Sequence, residues 1–209
     1  MVGVPLFALA LMANAHGLAS DLSAAFDGAS GASRITTAVA GLLTCLFYLF
    51  LVWAYLTRTE TRATSRVWAA HGAALVATPL PAVIPLLADD ATPDASRAAV
   101  ANVLLVAGLG WSLWAVRHLR RSFSILAQAR AVVSSGPYRL LRHPLYVGEI
   151  VAALGLVVLA ATTTALAIWL LLCLLQGYRA AREEEVLTAN LPDYARYRST
   201  TALLIPGLF

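Results

Sequence analysis

From Ile35 to Thr57 the chain runs through 23 residues without one charged side chain, and four other stretches are nearly as apolar. Such runs leave few folds open. In hydrocarbon no water can satisfy a bare N–H or C=O, so a spanning segment must be a helix of about 20 apolar residues. The expected fold class is all-α: a polytopic membrane helix bundle. Composition agrees, because 60% of the 209 residues are hydrophobic and only 12% are charged, where a soluble domain carries about 25%.

The first span is expected over residues 2–19, where the lack of a basic flank favours a span over a cleaved signal peptide. The second is Ile35 to Thr57, and the third runs from Val67 to Ala88. Pro79, Pro81 and Pro85 must kink or break that third helix. The fourth covers about residues 98–116. Residues 144–178 are too long for one span, and "AATTTA" at 160–165 divides them into a short C-terminal helical hairpin. This makes about six spans. The remaining residues, 179–209, read as a cytosolic C-terminal helical segment that continues to about Asn190 and restarts after Pro192.

All 15 basic residues are arginine, a bias expected of a high-GC bacterial genome. Arg58, Arg62 and Arg66 occupy one loop, and Arg117, Arg120, Arg121, Arg130, Arg139 and Arg142 another. The alternate loops carry Asp21 and Asp27, then Asp89, Asp90 and Asp94. This alternation places both termini in the cytosol, with the protein in a bacterial inner (plasma) membrane. The charge thus faces the lipid bilayer and not nucleic acid. Cys45 and Cys173 fall in apolar runs and read as packing residues, and no Cys/His spacing suggests a metal. His16 and His71, inside spans, read as helix–helix hydrogen-bonding groups.

The densest chemistry lies in "SSGPYRLLRHPLYVGE", residues 134–149. Gly136 and Pro137 make a turn, and Pro144 suits the first turn of a helix. His143 then stands at the helix mouth, where free N–H groups and the helix dipole favour a polar ligand. Gly148 lets a ligand or another helix approach closely. Tyr138, Arg139 and Arg142 would also serve as an interfacial anchor, a reading that accounts less well for Gly136, His143 and Gly148. A second constellation follows the last span: Arg179 and Glu183 share a helix face, and Glu184 and Glu185 sit beside them.

Together these residues resemble the isoprenylcysteine carboxyl methyltransferase family, integral-membrane enzymes grouped with phospholipid methyltransferases. The family's G-P-Y-R-x-x-R-H-P-x-Y-x-G pattern is met by Gly136, Pro137, Tyr138, Arg139, Arg142, His143, Pro144, Tyr146 and Gly148. Its R-x-x-x-E-E-x-x-L pattern is met by Arg179, Glu183, Glu184 and Leu187, followed by "DYARYR", and "RRSFSI" at 120–125 also looks like bacterial members. The resemblance covers residues from about 117 to 209.

It implies a methyltransferase that uses S-adenosyl-L-methionine, without a Rossmann domain or a metal. By the same resemblance, Gly136, Pro137, Tyr138, Arg142, His143, Pro144, Tyr146, Gly148, Glu183 and Glu184 form the cofactor-binding set. Arg179 and Glu183 are the catalytic candidates: Arg179 to orient a carboxylate acceptor, Glu183 to take a proton from an amine. The expected acceptor is a lipid or small hydrophobic molecule, most simply a carboxylate. Residues 117–209 would form the methyltransferase core, and residues 1–116 would shape the acceptor cavity. The alternatives are a phospholipid or amine N-methyltransferase, a sterol-type NADPH-dependent membrane reductase and a non-enzymatic membrane scaffold or small transporter. The intact Arg179–Glu183–Glu184 pattern favours methyl transfer over reduction, and a transporter would carry more polar side chains inside its spans.

Overall fold

The computed structural model describes residues 68–87, 94–119 and 132–205 as continuous segments, with 8, 11–12, 15–16, 19, 42–49, 52–53, 56–57, 63–64 and 128–129. The expected first span, "RRSFSI" at 120–125 and most of the charged loop residues before Asp94 fall wholly or largely outside the described residues. The architecture is helical. Residues 42–49, within the expected second span, are helical. The only described sheet is a two-residue antiparallel pairing of β1 (Ala63–Thr64) with β2 (Gln128–Ala129).

Helix α1 (Trp68–Ala77) stops where the prolines begin. Thr78 closes its last turn, with both its N–H and its hydroxyl donating to the Ala74 carbonyl, at 3.2 and 2.7 Å. One turn follows as α2 (Leu80–Val83), then a 3-10 turn over Ile84–Leu87. The third apolar run is therefore broken, as three prolines without amide donors require. Ile84 is fully buried against Ala153, Val157, Ala165 and Leu172, so the broken segment wedges into the C-terminal hairpin.

Helix α3 (Ala95–Leu119) begins under Asp94, whose carboxylate accepts from the Arg97 N–H at 2.9 Å. Helix α4 (Pro144–Ala160) carries its proline in the first turn and ends at Ala161, whose φ of 53° is left-handed. Helix α5 (Thr163–Asn190) begins after Thr162, whose hydroxyl accepts from the Ala165 N–H at 3.2 Å. The hairpin thus turns inside "AATTTA". Its second arm continues unbroken into the polar tail, and α6 (Tyr194–Thr200) follows Pro192.

Helices α3 and α5 are long and apolar enough to cross a membrane. The 28 residues of α5 span about 42 Å, longer than a hydrocarbon core of about 30 Å.

Helices α3 and α4 make the closest packing. A Cβ on Gly148 would overlap Ser112, and one on Gly155 would lie 2.7 Å from the Ala101 carbonyl oxygen. Small residues permit this approach where lipid supplies no hydrophobic drive between helices. Trp111 of α3 donates to the Pro144 carbonyl at 2.8 Å, and Trp169 of α5 donates to the Ile150 carbonyl at 2.9 Å. The first bond fixes the start of α4, on which the site depends, and the second ties α5 to α4 nearly two turns further along.

Candidate functional site

The residues before α4 form one tight turn, a 3-10 segment over Gly136–Arg139. Gly136 has φ 59°, a left-handed backbone that favours glycine, and it lies close against the His118 ring. Pro137 and Tyr138 are buried beneath the turn, and burial pushes the Tyr138 phenol well above its ordinary pKa. The turn is then held from outside. Arg142 N–H donates to the Ala202 carbonyl at 2.8 Å and His143 N–H to the Leu203 carbonyl at 3.2 Å, while Leu141 and Ala202 form a parallel bridge. The Tyr197 hydroxyl donates to the Tyr138 carbonyl at 2.7 Å.

His143 precedes Pro144, and its ring turns away from the helix end toward α5. Its Nε2 lies 3.1 Å from Glu184 Oε1 and its Nδ1 3.4 Å from Glu183 Oε2. A ring with a carboxylate at each nitrogen is suited to carry both protons. Burial opposes that charge, but the hydrogen bonds to Glu183 and Glu184 outweigh it and raise the His143 pKa above the ordinary value.

The three successive glutamates divide by helix geometry. Glu185 is exposed and, among the described residues, pairs with Arg182 alone, at 2.8 Å. Glu184 is buried and gathers four side chains: Arg142 NH1 at 2.5 Å, His143, the Tyr194 hydroxyl and Arg198 Nε at 3.5 Å. Burial, with Glu184 beside it, keeps the Tyr194 phenol neutral far above its ordinary range. Glu183 is less enclosed; it accepts from the Tyr146 hydroxyl at 2.5 Å. Tyr146 stacks on His143 with ring planes 5° apart, and Arg179 lies 4.7 Å from the Tyr146 ring centroid. Leu187 packs with Leu191, Tyr194 and Val132 below this cluster.

The structure therefore brings Arg142, His143, Tyr146, Arg179, Glu183 and Glu184 into one polar cluster. Gly136, Pro137, Tyr138 and Pro144 shape the backbone that presents it, and Gly148 receives α3 at close range. Arg139 is exposed on the turn. Tyr194 and Arg198 fall in the "DYARYR" segment that extends the resemblance but were not among the expected site residues, and neither were the backbone of Ala202 and Leu203 or the buried Gln176. A lone glutamine inside the apolar run before Arg179 was the one available signal for the last of these.

Beside Glu184, the end of α5, α6 and residues 203–205 enclose a half-open cleft of about 1070 Å³. Arg142, Arg198, Thr188 and Ser199 supply polar lining, and Leu203, Leu204 and Ile205 an apolar side. The buried Nε of Arg142 has no hydrogen-bond partner among the described residues. A basic group, a carboxylate, hydroxyls and an apolar wall in one cleft suit a ligand with both charged and apolar parts. Among the described residues, no group of three or more His, Cys, Asp or Glu side chains could hold a metal ion.

Residues 100–189 match the model of the isoprenylcysteine carboxyl methyltransferase (ICMT) family. Two bacterial relatives align with about half of the chain. Cobalt-zinc-cadmium resistance protein CzcN of Cupriavidus metallidurans is 36% identical over 52% of this chain and 52% of its own length. Nickel-cobalt-cadmium resistance protein NccN of Alcaligenes xylosoxydans xylosoxydans is 32% identical over the same shares. The chain spans about half the length of the curated relatives it matches. Among solved structures, the eukaryotic intramembrane Ras methyltransferase ICMT superposes with a TM-score of 0.52. The match covers 83% of this chain and 68% of that one at 16% identity, a likeness of fold.

Proposed function

Residues 100–189 belong to the isoprenylcysteine carboxyl methyltransferase family, and from that premise we propose that this membrane protein transfers a methyl group from S-adenosylmethionine to a lipid-like or small hydrophobic acceptor. One observation carries the reading. The two family motifs, far apart in the chain, meet in a buried charge cluster, with Arg142 at 2.5 Å and His143 at 3.1 Å from Glu184. The adjoining cleft combines the groups that the donor's carboxylate, ammonium, ribose and adenine would need.

When bound, S-adenosylmethionine supplies an activated methyl group on a sulfonium. The residues that would hold it are Arg142, Glu184 and Arg198 at the cleft, with His143 and Glu183 behind them. The backbone of Gly136, Pro137, Tyr138 and Pro144 keeps Arg142 and His143 in place, and Gly148 keeps α4 against α3. On the hairpin side, Tyr146 and Arg179 face Glu183 in a water-poor setting. There Arg179 orients a carboxylate acceptor. Such an acceptor needs no general base: an ionised oxygen bonds to the methyl carbon, and the electrons of the broken carbon–sulfur bond remain on sulfur. The enzyme's contribution is alignment and exclusion of water.

The reading extends to topology. Six spans in a bacterial plasma membrane, both termini cytosolic, put the arginine-rich loops and the cleft on the side of the soluble donor. Residues 117–209 then form the methyltransferase core, and residues 1–116 shape the acceptor cavity.

The test is donor binding by purified protein in lipid nanodiscs. Wild-type protein binds S-adenosylmethionine, and His143→Ala or Glu184→Ala weakens binding by about tenfold or more, the loss expected for one charged hydrogen bond. Folded wild-type protein that binds no donor would sink the proposal. Labelled donor with native lipid extract then identifies the acceptor, and a labelled amine in place of an ester would move the assignment to N-methylation.

A further inference from the structure

Below Glu183 the hairpin carries a polar ladder that donor binding does not require. On α4, Tyr146 and Glu149 are three residues apart, and on α5 Gln176, Arg179 and Glu183 follow at spacings of three and four, so each set lies on one helix face. Gln176 is 1% exposed and Arg179 8%. Arg179 NH1 donates to Gln176 Oε1 at 2.8 Å, and Gln176 Nε2 donates to Glu149 Oε2 at 2.5 Å. The Arg179 guanidinium lies 4.7 Å from the Tyr146 ring centroid, and the Tyr146 hydroxyl closes the chain on Glu183.

Packing alone does not call for these groups. Leucine fills a similar volume in an apolar hairpin without the desolvation cost of an amide and a carboxylate. What an amide adds is direction. Arginine can only donate, so the Gln176 oxygen must face Arg179 and its amide nitrogen is left to donate to a Glu149 oxygen. One orientation of Gln176 therefore satisfies both neighbours, with its oxygen toward Arg179 and its nitrogen toward Glu149. Glu149 locks that orientation, and the orientation fixes NH1 of Arg179.

We propose that Gln176 and Glu149 are positioning residues for Arg179, holding its guanidinium in one pose toward a carboxylate acceptor. This rests on the methyltransferase reading, in which Arg179 orients the acceptor. Neither residue touches the reacting atoms in this scheme. Their effect passes through Arg179 and belongs to acceptor recognition, not to donor binding.

The test uses the full chain in nanodiscs with S-adenosylmethionine and two probes, an N-acetylated S-prenylcysteine and a long-chain fatty acid. Donor Kd is measured calorimetrically, and acceptor KM and kcat by ester formation. Gln176→Leu is expected to raise acceptor KM about tenfold, the equivalent of one charged hydrogen bond, with donor Kd within about twofold. Gln176→Glu alone sets two carboxylates against each other and is at least as impaired. The double variant Glu149→Gln/Gln176→Glu exchanges amide and carboxylate and restores both bonds, returning acceptor KM to within about threefold of wild type. Should Gln176→Leu fail to fold, Gln176→Met makes the same comparison. An exchange that does not rescue, or a donor Kd that moves as far as the acceptor KM, overturns the inference. So does wild-type protein that binds donor but esterifies neither probe, while wild-type protein without donor binding overturns the methyltransferase reading itself.

Discussion

Glu184 of α5 lies 2.5 Å from Arg142, at the mouth of α4, and both side chains are less than a tenth exposed. The pair joins the hairpin's polar end to the turn that begins it. Because His143, Tyr194 and Arg198 also reach Glu184, this one carboxylate fastens three segments of chain.

Removing Glu184 leaves the buried Arg142 without its carboxylate, and removing Arg142 leaves Glu184 to His143, Tyr194 and Arg198. Arg142→Ala or Glu184→Ala is expected to lower stability by about 3–5 kcal/mol, as for other buried pairs broken on one side. The double variant Arg142→Met/Glu184→Leu should lose less than the sum of the single changes. Thermal unfolding in detergent, followed by circular dichroism, checks both; additive losses would show that the pair is not coupled.

Glu183 should behave differently. It is less enclosed, and among the described residues its side-chain partners are both at the α4 start. Glu183→Gln is expected to slow methyl transfer by about tenfold or more while shifting stability by less than about 1 kcal/mol. Comparison of turnover and melting temperature for Glu183→Gln and Glu184→Gln separates the two carboxylates.

The raised pKa of His143 gives stability a pH dependence of definite sign. Its folded pKa lies above the ordinary 6.5, so the folded protein binds this proton more tightly than the unfolded chain. The resulting stabilisation is fully present below about pH 6.5 and is lost as pH rises through the folded value. Melting temperature should fall across that window, and His143→Gln should flatten the slope. Raised phenol pKa values at Tyr194 and Tyr197 keep tyrosine ionisation out of this range.

The cleft offers a test that leaves the charge cluster intact. Ser199 lines it and is exposed, and its hydroxyl bonds locally, to the Arg196 carbonyl at 2.9 Å. Ser199→Trp should fill the space and weaken donor binding by about tenfold or more, with stability changed by less than about 1 kcal/mol. Unchanged donor affinity would place the donor elsewhere.

Much of this arrangement was legible in the residue order. Three prolines between Pro79 and Pro85 announced the broken third helix, and "AATTTA" the hairpin turn, because both act through local backbone chemistry. The meeting of His143 with the glutamates followed from motif spacing and resemblance. The division of labour between Glu183 and Glu184 did not, since it depends on which helix face meets α4. Nor did the role of Ala202 and Leu203, which act through carbonyl oxygens that every residue possesses. Gln176 carried a side-chain signal, but its two bonds need partners on another helix to give it meaning.

The dependence of Arg142 and His143 on carbonyls from residues 202 and 203 also sets an order of events during synthesis. The turn is translated before the hairpin, the glutamates and the stretch that secures it. A nascent chain can therefore insert α3, α4 and α5 while its charge cluster remains unassembled. If the cluster binds the donor as proposed, that competence would come late in synthesis, once the segment beyond α6 has folded back onto the turn, and a chain arrested before residue 202 would lack it.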